Sequence, residues 1–204
     1  MPFHNARHLT LDFAGRIWTP RPVPPNLGKS LRATAVKDRL TLRGSAPLAA
    51  DGVNPLLPPR ENPGTAYTIE ATLESFDAPS GARAPLAGLV LATNTRSGLG
   101  FGLHDFERTQ IPASLLVTPS GQVVALSGQG PQTKNLGAKV TLPARLRLAL
   151  AGGQATASIE ENGTWRELAT FPVPTNTAVF PALTAAAQGG EATAAWTNLT
   201  LRQR

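Results

Sequence analysis

Apolar and polar residues alternate with a period of two wherever the chain is regular. In TAYTIEATLES, Tyr67, Ile69, Ala71 and Leu73 alternate with Thr68, Glu70, Thr72 and Glu74, the pattern of a strand with one face buried and the other wet. In RLRLAL, Leu146, Leu148 and Leu150 fall on one side and Arg145, Arg147 and Ala149 on the other, because successive side chains of a strand point to opposite faces. Gly152-Gly153 then supplies a two-residue hairpin turn, and QATASIE a partner strand with Ala155, Ala157 and Ile159 inward. Asn162-Gly163 follows almost at once. Both residue types accept the positive φ angles of a type I′ turn, so TWRELATF completes a three-stranded meander.

Further strands are expected in LTLDF (9–13), SLRATAV and RLTLRG (30–44), AGLVLAT (87–93) and GLGFGL (98–103). ASLLVT with QVVALSG (113–128), AKVTLP, FPALTAAA and ATAAWTNLTL bring the total to more than ten. No segment has the 3.6-residue periodicity of an amphipathic helix. Turns at SGA and SGQ, with prolines mainly between the apolar runs, predict an antiparallel all-β sandwich, since proline is excluded from central ladder positions. The proline-rich stretches 19–29 and 46–64 are expected to cross the surface as loops. No internal repeat is present.

Composition narrows the class. With 204 residues and 41% apolar content, residues 1–204 are expected to form one domain with a core over roughly 8–204. The 19 glycines and 19 prolines suit strands and turns better than helices. No cysteine occurs, which excludes disulfides and thiolate metal sites. A metal would need oxygen or histidine ligands, and no motif calls for calcium or for any other cofactor. MPFHNARHLTLDFAGR lacks the apolar core of a signal peptide, and no run approaches the ~20 apolar residues of a membrane span. The expectation is a soluble, cytoplasmic protein, in which the N-x-T sequons at Asn162 and Asn198 go unglycosylated. A net charge of +6 and a pI near 10.7 are compatible with a polyanionic partner, but the cations are scattered single arginines, and solubility is the simpler account.

FGLHDFER gathers His104, Asp105, Glu107 and Arg108 in a chain with three histidines. Phe101 and Leu103 share strand parity, so the strand is expected to end near His104 and the polar residues to form the following turn. Consecutive polar side chains on one loop rarely converge on one reacting atom. His104 and Asp105 could still donate to a sugar hydroxyl or help hold a cation. The glycines of GLGFG are not a dinucleotide fingerprint, because a strand-like run rather than a helix follows them.

Taken in order, SLRATAVKDRLTLRG, NPLLPPRENPGTAYTIEATLE, AGLVLATNTRSGLGFGL, RLRLALAGGQATASIEENGTWRELATF and FPALTAAAQGGEATAAWTNLTL resemble the strands of the concanavalin A-like lectin/glucanase jelly roll. The likeness is closest to the β-sandwich module at the C-terminus of family 43 glycosidases and in related stand-alone proteins. It implies two stacked, curved antiparallel sheets with a concave face that binds saccharide in many relatives. It does not imply catalysis. Glucanases of the superfamily carry carboxylates in an E-x-D-x-x-E strand pattern that this chain lacks, and family 43 enzymes keep their catalytic acids in a separate domain. Glu70 and Glu74 share a strand but lie roughly 13 Å apart at about 3.3 Å per residue, against the ~5–5.5 Å of a retaining pair.

The resemblance places Arg60, in LPPREN, on a loop bordering the concave face, with Asn94, His104 and Asp105 nearby as a ligand set. Trp18 is a further candidate for stacking on sugar. Trp165 and Trp196 match core aromatic positions of the family and are expected to be buried. The leading expectation is therefore a non-catalytic, lectin-like module that recognises a saccharide or glycosylated ligand. The alternative is a basic interaction module in which Arg32, Arg43 and Arg202, with Arg39 and Arg204 close by, bind nucleic acid or a protein partner. A glycoside hydrolase-related enzyme is the third reading. Outward arginines also serve simply to keep sheet edges soluble.

Overall fold

The structure is a computed structural model that describes residues 9–10, 31–36, 39–45, 53–55, 66–93, 110–126, 133–175 and 179–203. These form strands β1 (Leu9–Thr10), β2 (Leu31–Val36), β3 (Arg39–Gly44), β4 (Val53–Pro55), β5 (Tyr67–Asp77), β6 (Arg83–Thr93) and β7 (Gln110–Val117). β8 (Gln122–Leu126), β9 (Thr133–Lys139), β10 (Ala144–Ala151), β11 (Gln154–Glu161), β12 (Thr164–Pro172), β13 (Val179–Gln188) and β14 (Ala192–Gln203) follow. The larger sheet runs β12-β11-β10-β5-β14-β3-β2, with β1 also pairing β14; the smaller runs β4-β13-β6-β7-β8-β9. Every pairing is antiparallel. The all-β, two-sheet antiparallel architecture is the one that the alternating pattern predicts.

Local signals are realised closely. Ala151 pairs with Gln154 around Gly152 and Gly153, whose φ angles are 58° and 75°. Glu161 pairs with Thr164 around Asn162 and Gly163, at 52° and 78°. Two consecutive positive φ angles are what the type I′ turn requires, which is why the meander β10-β11-β12 closes where those dipeptides stand. Two boundaries differ from expectation. Within the proline-rich stretch 46–64, Val53–Pro55 forms β4, paired with Ala182, Leu183 and Thr184; as an edge strand it can end in proline without breaking a ladder. The strand expected at AKVTLP instead spans Thr133–Lys139 and stops before Val140. The expected strand at 98–103 lies outside the described residues.

The core between the sheets takes Tyr67, Ile69, Leu73, Leu146, Leu148, Leu150 and Trp196 from the larger sheet and Leu89, Leu91, Leu115 and Leu183 from the smaller. The smaller sheet is apolar on its other face as well, where Leu86, Val90, Leu116, Val124 and Ala182 form a second buried cluster. This explains the near-continuous apolar run of β6, which reads as a strand buried on both faces rather than one. Within it, Gly88 is required by close approach: a Cβ there would meet the Leu115 carbonyl oxygen at 2.1 Å.

Tyr67 ties the two sheets together by donating its hydroxyl to the Val179 carbonyl on β13 at 3.1 Å. Burial raises its phenol above the ordinary value of 10.0, because the charged phenolate is poorly solvated there. The native state therefore keeps a proton that the unfolded chain gives up. This contribution is whole below about pH 10 and is lost as pH rises beyond it. We expect Tyr67→Phe to cost about 1–2 kcal/mol at neutral pH, through the lost bond and the stranded carbonyl. The variant should also show a weaker loss of stability in alkali. Denaturant titrations across pH, with tyrosinate absorbance of the single tyrosine, check both.

A candidate binding site on the outward face of the larger sheet

The alternation that turns Leu146 and Leu148 into the core turns Arg145 and Arg147 outward, and β5 and β11 treat their polar positions alike. Register then decides which of these polar side chains meet. β10 pairs with β5 so that Arg147 stands opposite Glu70 and Arg145 opposite Thr72. β14 continues the two rows with Thr200 beside Glu70 and Thr197 beside Thr72. On the other flank Ser158 stands opposite Arg147, Glu167 opposite Ser158, and Trp165 opposite Glu160.

Glu70 is the centre of this surface. Its side chain is 2% exposed, and its oxygens accept three N–H bonds. Arg147 donates Nε at 2.9 Å and Nη2 at 2.6 Å to Oε1, and Arg145 donates Nη2 at 3.0 Å to Oε2. A buried carboxylate is tolerated only with this kind of compensation, since desolvating it unpaired would cost several kcal/mol. Arg145 also donates Nη1 to Glu160, at 3.3 Å and 3.4 Å to the two oxygens, so one guanidinium bridges two carboxylates. Arg147 lies over the Trp165 ring, its guanidinium carbon 3.7 Å from the centroid, with that of Arg145 at 5.3 Å. A guanidinium can present its edge to a carboxylate and its face to an aromatic ring at once, which a lysine cannot. The result is a rigid layer of Glu70, Arg145, Arg147, Glu160 and Trp165.

Hydroxyls and an amide flank it. Thr197 donates to Glu74, and Asn198 donates Nδ2 to the Thr72 hydroxyl at 3.3 Å. Two buried polar atoms next to the cluster, Arg145 Nε and Thr200 Oγ1, have no partner among the described residues. Beside the layer opens a cavity of about 460 Å³ lined by Thr72, Lys139, Arg145, Glu160, Glu161 and Asn162 among others. The Asn162-Gly163 turn forms part of its wall, so the hairpin signal read from sequence also shapes the opening. Among the described residues, no three or more His, Cys, Asp and Glu side chains are grouped to hold a metal ion. No described helix is long and apolar enough to cross a membrane.

The residues expected at the site fare differently. Trp18, Arg60, Asn94, His104 and Asp105 lie outside the described residues. Of the arginines proposed as a basic patch, Arg32 stands opposite Arg43 in the β2–β3 ladder. Arg202 lies nine residues along β14 from Thr193, the partner of Arg43, roughly 30 Å away at about 3.3 Å per residue. The strands are neighbours, but Arg202 stands far from the other two. Trp196 is fully buried in the core as expected. Trp165 is not: it is half-buried on the outward face, because its pairing with Glu160 sets it opposite a polar position and Arg147 covers its ring.

The Glu70 cluster was missed by sequence reasoning. Its only sequence signal is that the outward parity of IEATLE and of RLRLAL carries opposite charges, and nothing local shows that these two strands are neighbours.

No family model matches the sequence, and no curated protein matches it. Solved structures do. A functionally unknown protein from Saccharomyces cerevisiae aligns over 97% of both chains with a TM-score of 0.52 at 12% identity. An alginate lyase from polysaccharide lyase family 7 aligns over 89% of this chain and 88% of its own, with a TM-score of 0.55 at 5% identity. A xylan β-1,4-xylosidase from Bacillus halodurans C-125 covers 81% of this chain but only 33% of its own length, with a TM-score of 0.50 at 13% identity. At such identities the likeness carries the fold alone. The chain is a jelly-roll sandwich of the concanavalin A-like kind, a fold that it shares with carbohydrate-active proteins.

Proposed function

We propose that the protein binds saccharide without turning it over, on the outward face of the larger sheet beside Trp165. The observation that carries this reading is the layer of Glu70, Arg145, Arg147 and Glu160, locked by ion pairs, backed by an indole ring and opening onto a cavity of about 460 Å³. Sugars present hydroxyls that both donate and accept, and C–H faces that stack on rings. A preorganised mixed polar surface with one aromatic edge suits them. The fold supports the reading, since two neighbours bear names of polysaccharide-active enzymes. The partial coverage of the xylosidase is what an accessory sandwich would show beside a catalytic domain, in keeping with the likeness to the family 43 module.

Catalysis fits less well. A glycosidase needs one carboxyl free to give a proton and a second facing the anomeric carbon or a water. Here both oxygens of Glu70 are taken by guanidinium N–H groups, and Glu160 shares Arg145 with it. The one tyrosine, which could otherwise act as an acid or base, points into the core.

A glycan array followed by calorimetry, at two salt concentrations and with labelled duplex DNA as control, tests the proposal. We expect a saccharide to bind, and Trp165→Ala to weaken it about tenfold, equivalent to ~1.4 kcal/mol. Circular dichroism should show the fold unchanged. Silence on glycans combined with DNA binding that falls steeply with salt would transfer the function to the scattered arginines.

A further inference from the structure

Charge and spare hydrogen bonds at the cavity point the same way. Resting on the binding reading above, we infer that the saccharide taken there is an acidic one, whose carboxylate or sulfate group is received by Lys139. Lys139, Arg145, Arg147 and Arg166 place four positive charges in and around the cavity, against the three negative charges of Glu70, Glu160 and Glu161. Each of these carboxylates already has an arginine. Glu70 holds Arg145 and Arg147, Glu160 holds Arg145, and Glu161 holds Arg166 at 2.7 Å. Lys139 has no ion pair among the described residues. The positive charge in excess is therefore its ammonium, in the cavity wall.

The fold fixes where that lysine stands. Lys139 is the last residue of β9 and pairs with Gln122 on β8. The next residue, Val140, donates its backbone N–H to the Gly121 carbonyl at 2.8 Å, which anchors the chain as it leaves the smaller sheet. A lysine on an edge strand such as β9 also discourages pairing with other chains. Lys134, exposed on the same strand but not part of the cavity wall, serves that purpose equally well.

The uncommitted hydrogen bonds of the wall are mostly donors. Thr72 Oγ1 accepts from Asn198 Nδ2 at 3.3 Å, which leaves its own O–H to give. Arg145 commits Nη1 to Glu160 and Nη2 to Glu70, while its buried Nε has no partner among the described residues. Lys139 adds three N–H donors and no acceptor. An ionised carboxylate or sulfate only accepts, so it can meet Lys139 and Thr72 without displacing Glu70 or Glu160. Hydrogen bonds between ionised partners are roughly twice as strong as neutral ones, and the ammonium gains more from an acid than from a hydroxyl. Glu160 and Glu161, 25% and 44% exposed, set a limit. A densely charged polyanion would bring further negative groups against them, whereas one acid group matches the one charge in excess.

The test measures, by calorimetry, binding of a uronate oligosaccharide, its carboxyl-reduced neutral counterpart and a sulfated oligosaccharide of the same backbone. Wild type, Lys139→Gln and Lys134→Gln are compared, each checked for folding by thermal melting. The expected result is that wild type binds at least one of the two acids about tenfold or more tighter than the neutral sugar. A gain from both acids would assign the preference to charge, and a gain from one alone to the shape of that group. Lys139→Gln should close the gap between acidic and neutral ligands, while Lys134→Gln keeps it. Neutral binding as tight as acidic binding by wild type would overturn this inference and leave the saccharide-binding proposal standing. So would an equal loss in the two lysine variants, which would trace the preference to the overall charge of the chain. The absence of binding by all three ligands would bring down both.

Discussion

Arg145→Ala/Arg147→Ala should unfold with a free energy about 3–5 kcal/mol lower than wild type, the usual cost of stranding a buried charge. Glu70, only 2% exposed with both arginines in place, would lose all three of its N–H donors. The arginines themselves are 38% and 26% exposed, so solvent already screens the pairs and truncation lets water in, and the effect should lie toward the lower end of that range. Adding Glu70→Leu to the double variant should recover most of the loss, because removing every member of a buried ionic cluster is far less harmful than removing some of them. Urea titrations with an unchanged m-value measure the differences. A double variant within about 1 kcal/mol of wild type would mean that Glu70 finds solvent, and that the layer is not a rigid platform.

The second large effect belongs to Trp196. Its side chain is completely buried between the sheets, on the strand that pairs with both β3 and β5. Trp196→Ala should cost about 3–5 kcal/mol, through lost burial and the cavity left in the centre of the sandwich. Trp196→Phe should cost distinctly less. The indole N–H has no hydrogen-bond partner among the described residues, so phenylalanine gives up volume but no bond, and it relieves a buried unpaired donor. If the phenylalanine variant proved as damaging as the alanine one, the indole nitrogen would have to hold a partner after all. Because Trp165 lies on the outward face and Trp196 in the core, Trp196→Phe should leave saccharide affinity unchanged while Trp165→Ala changes it. That contrast separates stability from binding.

Strand content, the two tight hairpins and the inward sets of β5, β10 and β11 were legible in the sequence. Each depends on residues no more than a few positions apart: the period-two pattern of Tyr67 to Leu73, the glycine pair at 152–153, and the Asn-Gly pair at 162–163. Trp196 was also placed correctly, by its likeness to a family core position. Trp165 was not, although the same likeness suggested burial. Burial on an edge strand depends on what the neighbouring strands present, and Trp165 meets Glu160 and Arg147 rather than apolar side chains. Short β4 went unread because Pro55 and the prolines around it argue for a loop, and only its seat at the edge of the smaller sheet makes a strand of it.

The sequence by itself determined that the chain would make strands, which side chains of each strand would share a face, and where the chain would reverse. These follow from the geometry of the pleat and from φ preferences, both local properties. Only the tertiary structure decided that β5 lies between β10 and β14, and in which register. Arg147 and Glu70 are separated by 77 positions; a slip of one residue in that register would turn one side chain of the pair into the core. The candidate site exists only because the two sheets, in burying their apolar faces against each other, bring these distant polar positions into line.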